Sequence, residues 1–237
     1  FTRNNAGCAI MFSNRLVVER NDFVQNRGSR TYGLLLKDCS DGRFTHNRLV
    51  DNTVAIFMDG SNRNHVSENL VQDNGWGILL FSSCAGNEFA GNNFWNNDYP
   101  VALDMRYSDN RFDDGARGNY WSENAPYALD ANGVSDVAFS PVSAFAFLSK
   151  QYPDLAILGR SPAATALSVA ERTIPALRPS EIVDRYPLVS PASMVPPAPA
   201  PEPPVRSANG TRAMAGAGFL LVAATGLAGL FVRGRRR

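Results

Sequence analysis

Asparagine recurs in register through the first half of the chain, and this repeat restricts the possible folds more than any other feature. Five segments share the form asparagine, any residue, apolar residue, two residues, asparagine. They are Asn21–Asn26, Asn47–Asn52, Asn69–Asn74, Asn92–Asn97 and Asn119–Asn124, with a partial copy ending at Asn4. Successive closing asparagines lie 22, 26, 22, 23 and 27 residues apart. An apolar residue (Val18, Phe44, Val66, Phe89) precedes four of the opening asparagines by three positions. Earlier in each turn stands an apolar pair: Ile10/Phe12, Leu34/Leu36, Ile56/Met58, Ile78/Leu80 and Val101/Leu103.

A fixed period in this range marks a solenoid. Leucine-rich repeats demand more leucine than is present, and helical repeats demand a 3.6-residue period that is absent. The pattern predicts an all-β parallel β-helix of about five coils, each with three short strands and tight corners. Asparagine tolerates the left-handed backbone that corners use. Stacked every ~4.8 Å, its amide can bond to the coils above and below. Asn26, Asn52, Asn74, Asn97 and Asn124 are thus expected to form a structural ladder. Ser13, Cys39, Ser61 and Cys84 fall into one column of small corner residues. Two coils separate the cysteines, too far for a disulfide.

Of 21 asparagines, 19 lie in residues 1–124, whereas 14 of 15 prolines follow residue 124. The expected organisation is a β-helix over 1–139, a helical cap or docking segment over 140–189, and a proline-rich linker over 190–212. A transmembrane helix over 213–232 and a basic cytoplasmic tail over 233–237 complete it. Ser140-Pro141 and Ser161-Pro162 read as helix starts. The 20 uncharged residues before Arg233 suit a bilayer span, and the arginines predict a cytoplasmic C-terminus. The remainder would then face the periplasm. A processed sorting tag is a second explanation of this tail. Phe1 follows no signal-peptide pattern, so the chain reads as a fragment or a processed form. The net charge of +1 argues against nucleic-acid binding.

Chemistry is sparse. Met11, Leu35, Phe57 and Leu79 fall between inward positions and predict an exposed apolar stripe, a partner-binding surface unless another segment covers it. No catalytic residues stand out. Lys37, Asp59, Phe81 and Asp104 form a column interrupted by an aromatic, unlike the paired acids of a glycosidase. A surface-anchored polysaccharide lyase, epimerase or hydrolase acting through Asp59 is the alternative, and a β-helix adhesin is another. His46 and His65 occupy non-equivalent positions, so no metal ligands are assigned and no cofactor is evident. Asp130, Asn132, Gly133 and Asp136 imitate a calcium loop with two ligand positions missing, so a turn is expected.

Gly118-Asn119-Tyr120-Trp121-Ser122, the turn at 130–136, Phe139-Ser-Pro-Val142, Lys150-Gln-Tyr-Pro153, Arg160-Ser-Pro162, Ala170-Glu-Arg172, Ile174-Pro175 and Val183-Asp184 occur in that order. Together they resemble the C-terminal half of the NosD family, accessory proteins of nitrous oxide reductase maturation. The resemblance implies a right-handed parallel β-helix in the periplasm. It implies a scaffold beside an ABC transporter permease and ATPase that assists copper–sulfur centre assembly. Apo nitrous oxide reductase and a copper chaperone are the further implied partners. Copper enters only through this resemblance.

Overall fold

The computed structural model describes residues 1–81, 83–104, 108–158, 161–174 and 182–193. Residues Phe1–Pro199 form one compact unit. The second unit, Ala200–Arg237, lies outside the described residues, as do most of the expected linker, the expected membrane helix over 213–232 and the basic tail. Among the described residues no helix is long and apolar enough to cross a membrane.

The repeat folds as a parallel β-solenoid of about five coils. The first coil holds β1 (Ala6–Met11), β2 (Val17–Glu19) and β3 (Asp22–Val24). The second holds β4 (Tyr32–Lys37), β5 (Arg43–Thr45) and β6 (Arg48–Val50). The third holds β7 (Val54–Asp59), β8 (His65–Ser67) and β9 (Leu70–Gln72). The fourth holds β10 (Trp76–Leu80), β11 (Glu88–Ala90) and β12 (Asn93–Trp95). The last contains β13 (Tyr99–Leu103) and β14 (Tyr120–Trp121). Corresponding strands pair in parallel into three sheets: β1-β4-β7-β10-β13, β2-β5-β8-β11 and β3-β6-β9-β12-β14.

The core is a set of vertical apolar columns. Leu34, Ile56, Ile78 and Val101 stand in register, as do Phe44, Val66 and Phe89, and each is almost wholly buried. Burying each such side chain is worth about 1.5–3 kcal/mol. Phe94 and Trp121 stack at 4.3 Å between centroids.

Three asparagine ladders hold the corners. The opening ladder runs Asn21, Asn47, Asn69, Asn92, Asn119, and each rung repeats one unit. The backbone N–H and Nδ2 of Asn47 both donate to Asn69 Oδ1, at 2.8 and 3.0 Å, while Nδ2 also donates to the Val18 carbonyl. The closing ladder runs Asn26, Asn52, Asn74, Asn97 with the same geometry. A third ladder, Asn64, Asn87, Asn110, begins where the Gly42 N–H donates to Asn64 Oδ1. Its rungs are 23 residues apart, a signal present in the sequence that the paired motif overshadowed.

Four expectations need correction. Left-handed backbone falls on the residue before most rungs, as at Gln25, Asp51 and Asp73, with φ of 57°, 61° and 54°. The rung itself turns its amide into the interior. Asn124 is not a rung: its Nδ2 is buried without a hydrogen-bond partner, and its N–H donates to the Trp121 carbonyl. In the first coil Cys8 and Ile10, rather than Ile10 and Phe12, align with Leu34 and Leu36. Phe12 is 76 % exposed, with φ of 52°, because it occupies a corner. The first helix also starts later than Ser140-Pro141. α1 (Ala144–Gln151) has Ser143 as its N-cap, because Val142 is still held as a bridge to Val101. α2 (Pro162–Thr173) does start at Ser161-Pro162, and the Ser161 side chain accepts from the Ala164 N–H.

Small residues line the closing corner for a steric reason. A Cβ added at Gly33 would lie 2.9 Å from the Ala55 carbonyl oxygen and 3.2 Å from the Asn52 amide carbon.

Candidate docking face and the closed end

The outward face of the first sheet carries a run of apolar side chains outside the core. Its central column is Ala9, Leu35, Phe57, Leu79, Ala102. Met11 is exposed but does not belong to it. Met11 pairs with Lys37 and so lies in the neighbouring column; the apolar corner residue Phe12 mimics an inward position and shifts the expected register of the first coil by two residues. Leu35, Phe57 and Leu79 are half-buried. On one side Tyr32, Val54, Trp76 and Tyr99 stand in register, and on the other Phe81 follows Lys37 and Asp59. The Phe57 ring lies 4.8 Å from Tyr32 and 5.1 Å from Phe81. Trp76 stacks on Tyr99 at 4.4 Å, and Phe145 of α1 stacks on Tyr99 at 5.9 Å. α1 packs against β13, and Ala102 there is wholly buried. Of the two readings of the stripe, cover from within the chain thus applies at the last coil.

The far end of the solenoid is closed by residues distant in sequence. Asn119 is the last rung of the opening ladder, and its N–H donates at 2.7 Å to Asp184 Oδ2. Trp121 Nε1 donates to the same oxygen at 2.8 Å, and the Tyr186 N–H donates to Oδ1 at 3.0 Å. Asp184 is wholly buried, and burial pushes its carboxyl up to about 6 against the pull of the Asn119, Trp121 and Tyr186 donors. Gly118 makes room for it, because a Cβ there would fall 1.8 Å from Asp184 Oδ1. Beside it Arg185 grips Asp113 in a fork, with Nη2 to Oδ1 at 2.6 Å and Nε to Oδ2 at 3.0 Å. Burial works to raise the Asp113 carboxyl, but the Arg185 bonds and charge outweigh it and hold it below the usual range. Leu188 donates to the Asn119 carbonyl, and the Asn93 amide exchanges two bonds with the Ala192 backbone. Nothing in the local sequence around Val183-Asp184 signals this role, because it depends on a contact 65 residues away in sequence.

The remaining candidates are occupied by other work. Asp59 Oδ1 accepts from the Ser83 hydroxyl at 2.8 Å, and its Oδ2 faces Lys37 Nζ at 3.7 Å. At the turn resembling a calcium loop, Asn132 Oδ1 accepts from the Val134 N–H and Asp136 Oδ2 from the Leu129 N–H.

Among the described residues, the histidines, cysteines and acids do not fit a copper site. Cys39 and Cys84 are buried in the core, and Ser61 lies between them: the Cys39 N–H donates to Ser61 Oγ and the Ser61 N–H to Cys84 Sγ. All three cysteines are free, and burial pushes each thiol up, away from the thiolate that binds soft metals. His46 Nε2 lies 2.7 Å from Glu68, and His65 Nδ1 3.4 Å from Glu88. Met58 is wholly buried. Among the described residues no three of His, Cys, Asp or Glu converge on a common point.

Fold and surface together define a short parallel β-solenoid with one apolar sheet face and a purpose-built closed end. The chain belongs to the NosD family, described as periplasmic copper-binding protein, whose family model matches residues 1–125. It is 29 % identical over 135 residues to the probable ABC transporter binding protein NosD of Pseudomonas aeruginosa, covering 57 % of this chain and 31 % of that protein. It is 26 % identical over 196 residues to the protein of the same name from Stutzerimonas stutzeri, covering 76 % of this chain and 44 % of that one. The chain thus spans under half the length of the curated relatives it matches.

Proposed function

We propose that the chain is a periplasmic docking scaffold, without catalysis of its own, that works beside an ABC transporter during maturation of nitrous oxide reductase. The observation that carries this reading is the half-buried apolar column Leu35, Phe57, Leu79 on the outward wall of the solenoid. Apolar surface of this kind is costly in water unless a partner covers it. The names of the relatives support a transporter as one partner. The permease and ATPase, apo nitrous oxide reductase and a copper chaperone are the proposed partners, and copper–sulfur centre assembly is the proposed process. The scaffold positions proteins, and no step is assigned to copper on this chain. The uncharged run at 213–232 with its arginine flank supports a tether to the inner membrane.

Co-expression of the full-length chain with the transporter tests the reading. Phe57→Asp with Leu79→Asp should abolish co-purification of the permease and ATPase while the β circular dichroism and melting transition persist. Retained co-purification overturns the assignment of this face.

A further inference from the structure

We propose that Asn132 is a self-modification site, at which the Gly133 peptide nitrogen attacks the Asn132 side-chain carbonyl carbon and the amide is lost. The Gly133 nitrogen gives up its proton and bonds to Asn132 Cγ, and the carboxamide nitrogen departs with that proton as ammonia. Water then opens the succinimide ring at one of its two C–N bonds. One opening gives aspartate, and the other gives isoaspartate with the main chain routed through Cβ. The inference is independent of the docking reading.

Three observations lead to it. First, the sequence places glycine after Asn74, Asn132 and Asn209, the last outside the described residues. Glycine lacks the Cβ that would screen its own nitrogen from attack. Secondly, the fold treats the two described pairs in opposite ways. Asn74 is a buried rung whose Oδ1 accepts from the Asn52 N–H and Nδ2, while its Nδ2 donates to Asn97 and to the Leu49 carbonyl. The Gly75 N–H donates to the Asn52 carbonyl at 3.1 Å. Asn74 therefore cannot swing onto Gly75 without breaking the ladder. Asn132 and Gly133 are both exposed, and a Cβ added at Gly133 would meet nothing within 4 Å. Among the described residues the Gly133 N–H makes no hydrogen bond. Thirdly, the turn prepares the electrophile. Asn132 Oδ1 accepts from the Val134 N–H at 2.7 Å. This turn folds the carboxamide back over the Gly133 peptide, and the donated bond draws electron density from Cγ, the atom attacked. The same turn also grips the segment that closes the solenoid. The Val189 N–H donates to the Gly133 carbonyl at 3.0 Å, and Val134 bridges Leu188 antiparallel. Isoaspartate lengthens the main chain just before Gly133 and displaces that carbonyl, whereas aspartate only adds a charge near Asp130 and Asp136. Modification to isoaspartate thus loosens the closed end at Val189.

The test ages the full-length chain in warm, mildly alkaline buffer made with heavy-oxygen water. Mass spectrometry with electron-transfer fragmentation then reads the peptides spanning Asn74 and Asn132 and separates aspartate from isoaspartate. In the folded chain Asn132 should convert at least about tenfold faster than Asn74, with heavy oxygen incorporated. In urea, where the ladder is lost, the two rates should converge to within about threefold. Asn14, exposed but followed by arginine, should convert far more slowly than Asn132. Asn132→Gln, which would have to close a larger ring, should abolish conversion at that position. Equal rates at Asn74 and Asn132 in the folded chain, a faster Asn74, or an Asn132 no faster than Asn14 overturns the site. Hydrogen exchange reads the consequence on the isoaspartate form, separated by ion exchange. Its Val189 amide should exchange at least about fivefold faster than in the parent, while Asn132→Asp changes it little. Unchanged exchange at Val189 overturns the link to the closed end.

Discussion

Two corners of the same coils end in different ways. The closing ladder runs from Asn26 to Asn97 and then stops, with Asn124 outside it. The opening ladder runs one coil further to Asn119 and is received by a buried carboxylate, Asp184. An asparagine rung is self-complementary. It donates forward and accepts from behind, so it can be repeated indefinitely and terminates nothing. A carboxylate only accepts, so it can close a ladder but cannot extend one. The difference separates a periodic device from a single-use one.

The largest expected effect comes from breaking the periodic device in the middle. Asn69 is buried, accepts from the Asn47 N–H and Nδ2, and donates to Asn92 and to the Phe44 carbonyl. Asn69→Ala leaves the buried Asn47 N–H without its acceptor, Asn47 Nδ2 with only its Val18 bond, and the Phe44 carbonyl without its side-chain donor, a cost of about 3–5 kcal/mol. Urea unfolding should show this as a lowered midpoint. A loss below about 1 kcal/mol would mean that water replaces the rung.

Breaking the terminal device should cost less. Asp184→Ala strands the Asn119, Trp121 and Tyr186 donors, but it also removes a charge from the interior. These oppose one another, leaving a loss of about 2–3 kcal/mol. The near-ultraviolet signal of Trp121 should change with it. Asp184→Asn keeps an acceptor for Asn119 and Trp121, and should cost no more than about 1 kcal/mol at neutral pH. If Asp184→Ala proved as costly as Asn69→Ala, the two devices would not differ in the way described.

The same contrast explains what could be read in advance. The asparagine spacing revealed the solenoid, its coil length and the closing ladder as far as Asn97, because each rung answers a neighbour one period away. It also revealed the column Ser13, Cys39, Ser61, Cys84, whose bonds run coil to coil. The first coil was misread because its corner residue Phe12 is apolar and mimics an inward position, which moved Met11 into the stripe in place of Ala9. Asn124 was misread because the Tyr120-Trp121 strand keeps the motif after the ladder has ended. Asp184 obeys no period, and nothing in local sequence says which donors a lone acid will meet 65 residues away.

A third prediction sharpens the comparison through pH. Burial raises the Asp184 carboxyl to about 6, above its ordinary value of 3.8. Between those values the folded state holds a proton that the unfolded state has released, so stability falls as pH rises through that window. The contribution is about 3 kcal/mol at most. Asp113 has a lowered carboxyl and acts with the opposite sign, its stabilisation being lost as pH falls below the ordinary range. Subtracting the Asp184→Asn curve from the parent curve removes Asp113 from the comparison. The variant should gain on the parent between about pH 4 and pH 6, and a flat difference would show that the donors hold Asp184 ionised throughout.

The smallest effect is expected at Asn124. By sequence it is the next closing rung, equivalent to Asn97, and a working rung there would cost several kcal/mol to remove. In the structure its Nδ2 is buried without a partner, so truncation removes an unmet polar group along with some packing. Asn124→Ala should therefore change stability by no more than about 0.5 kcal/mol in either direction. Set beside Asn69→Ala, that result would show that an asparagine stabilises this fold only where another coil supplies the facing amide. A loss comparable to Asn69→Ala would instead extend the closing ladder to Asn124 and erase the difference between the two corners.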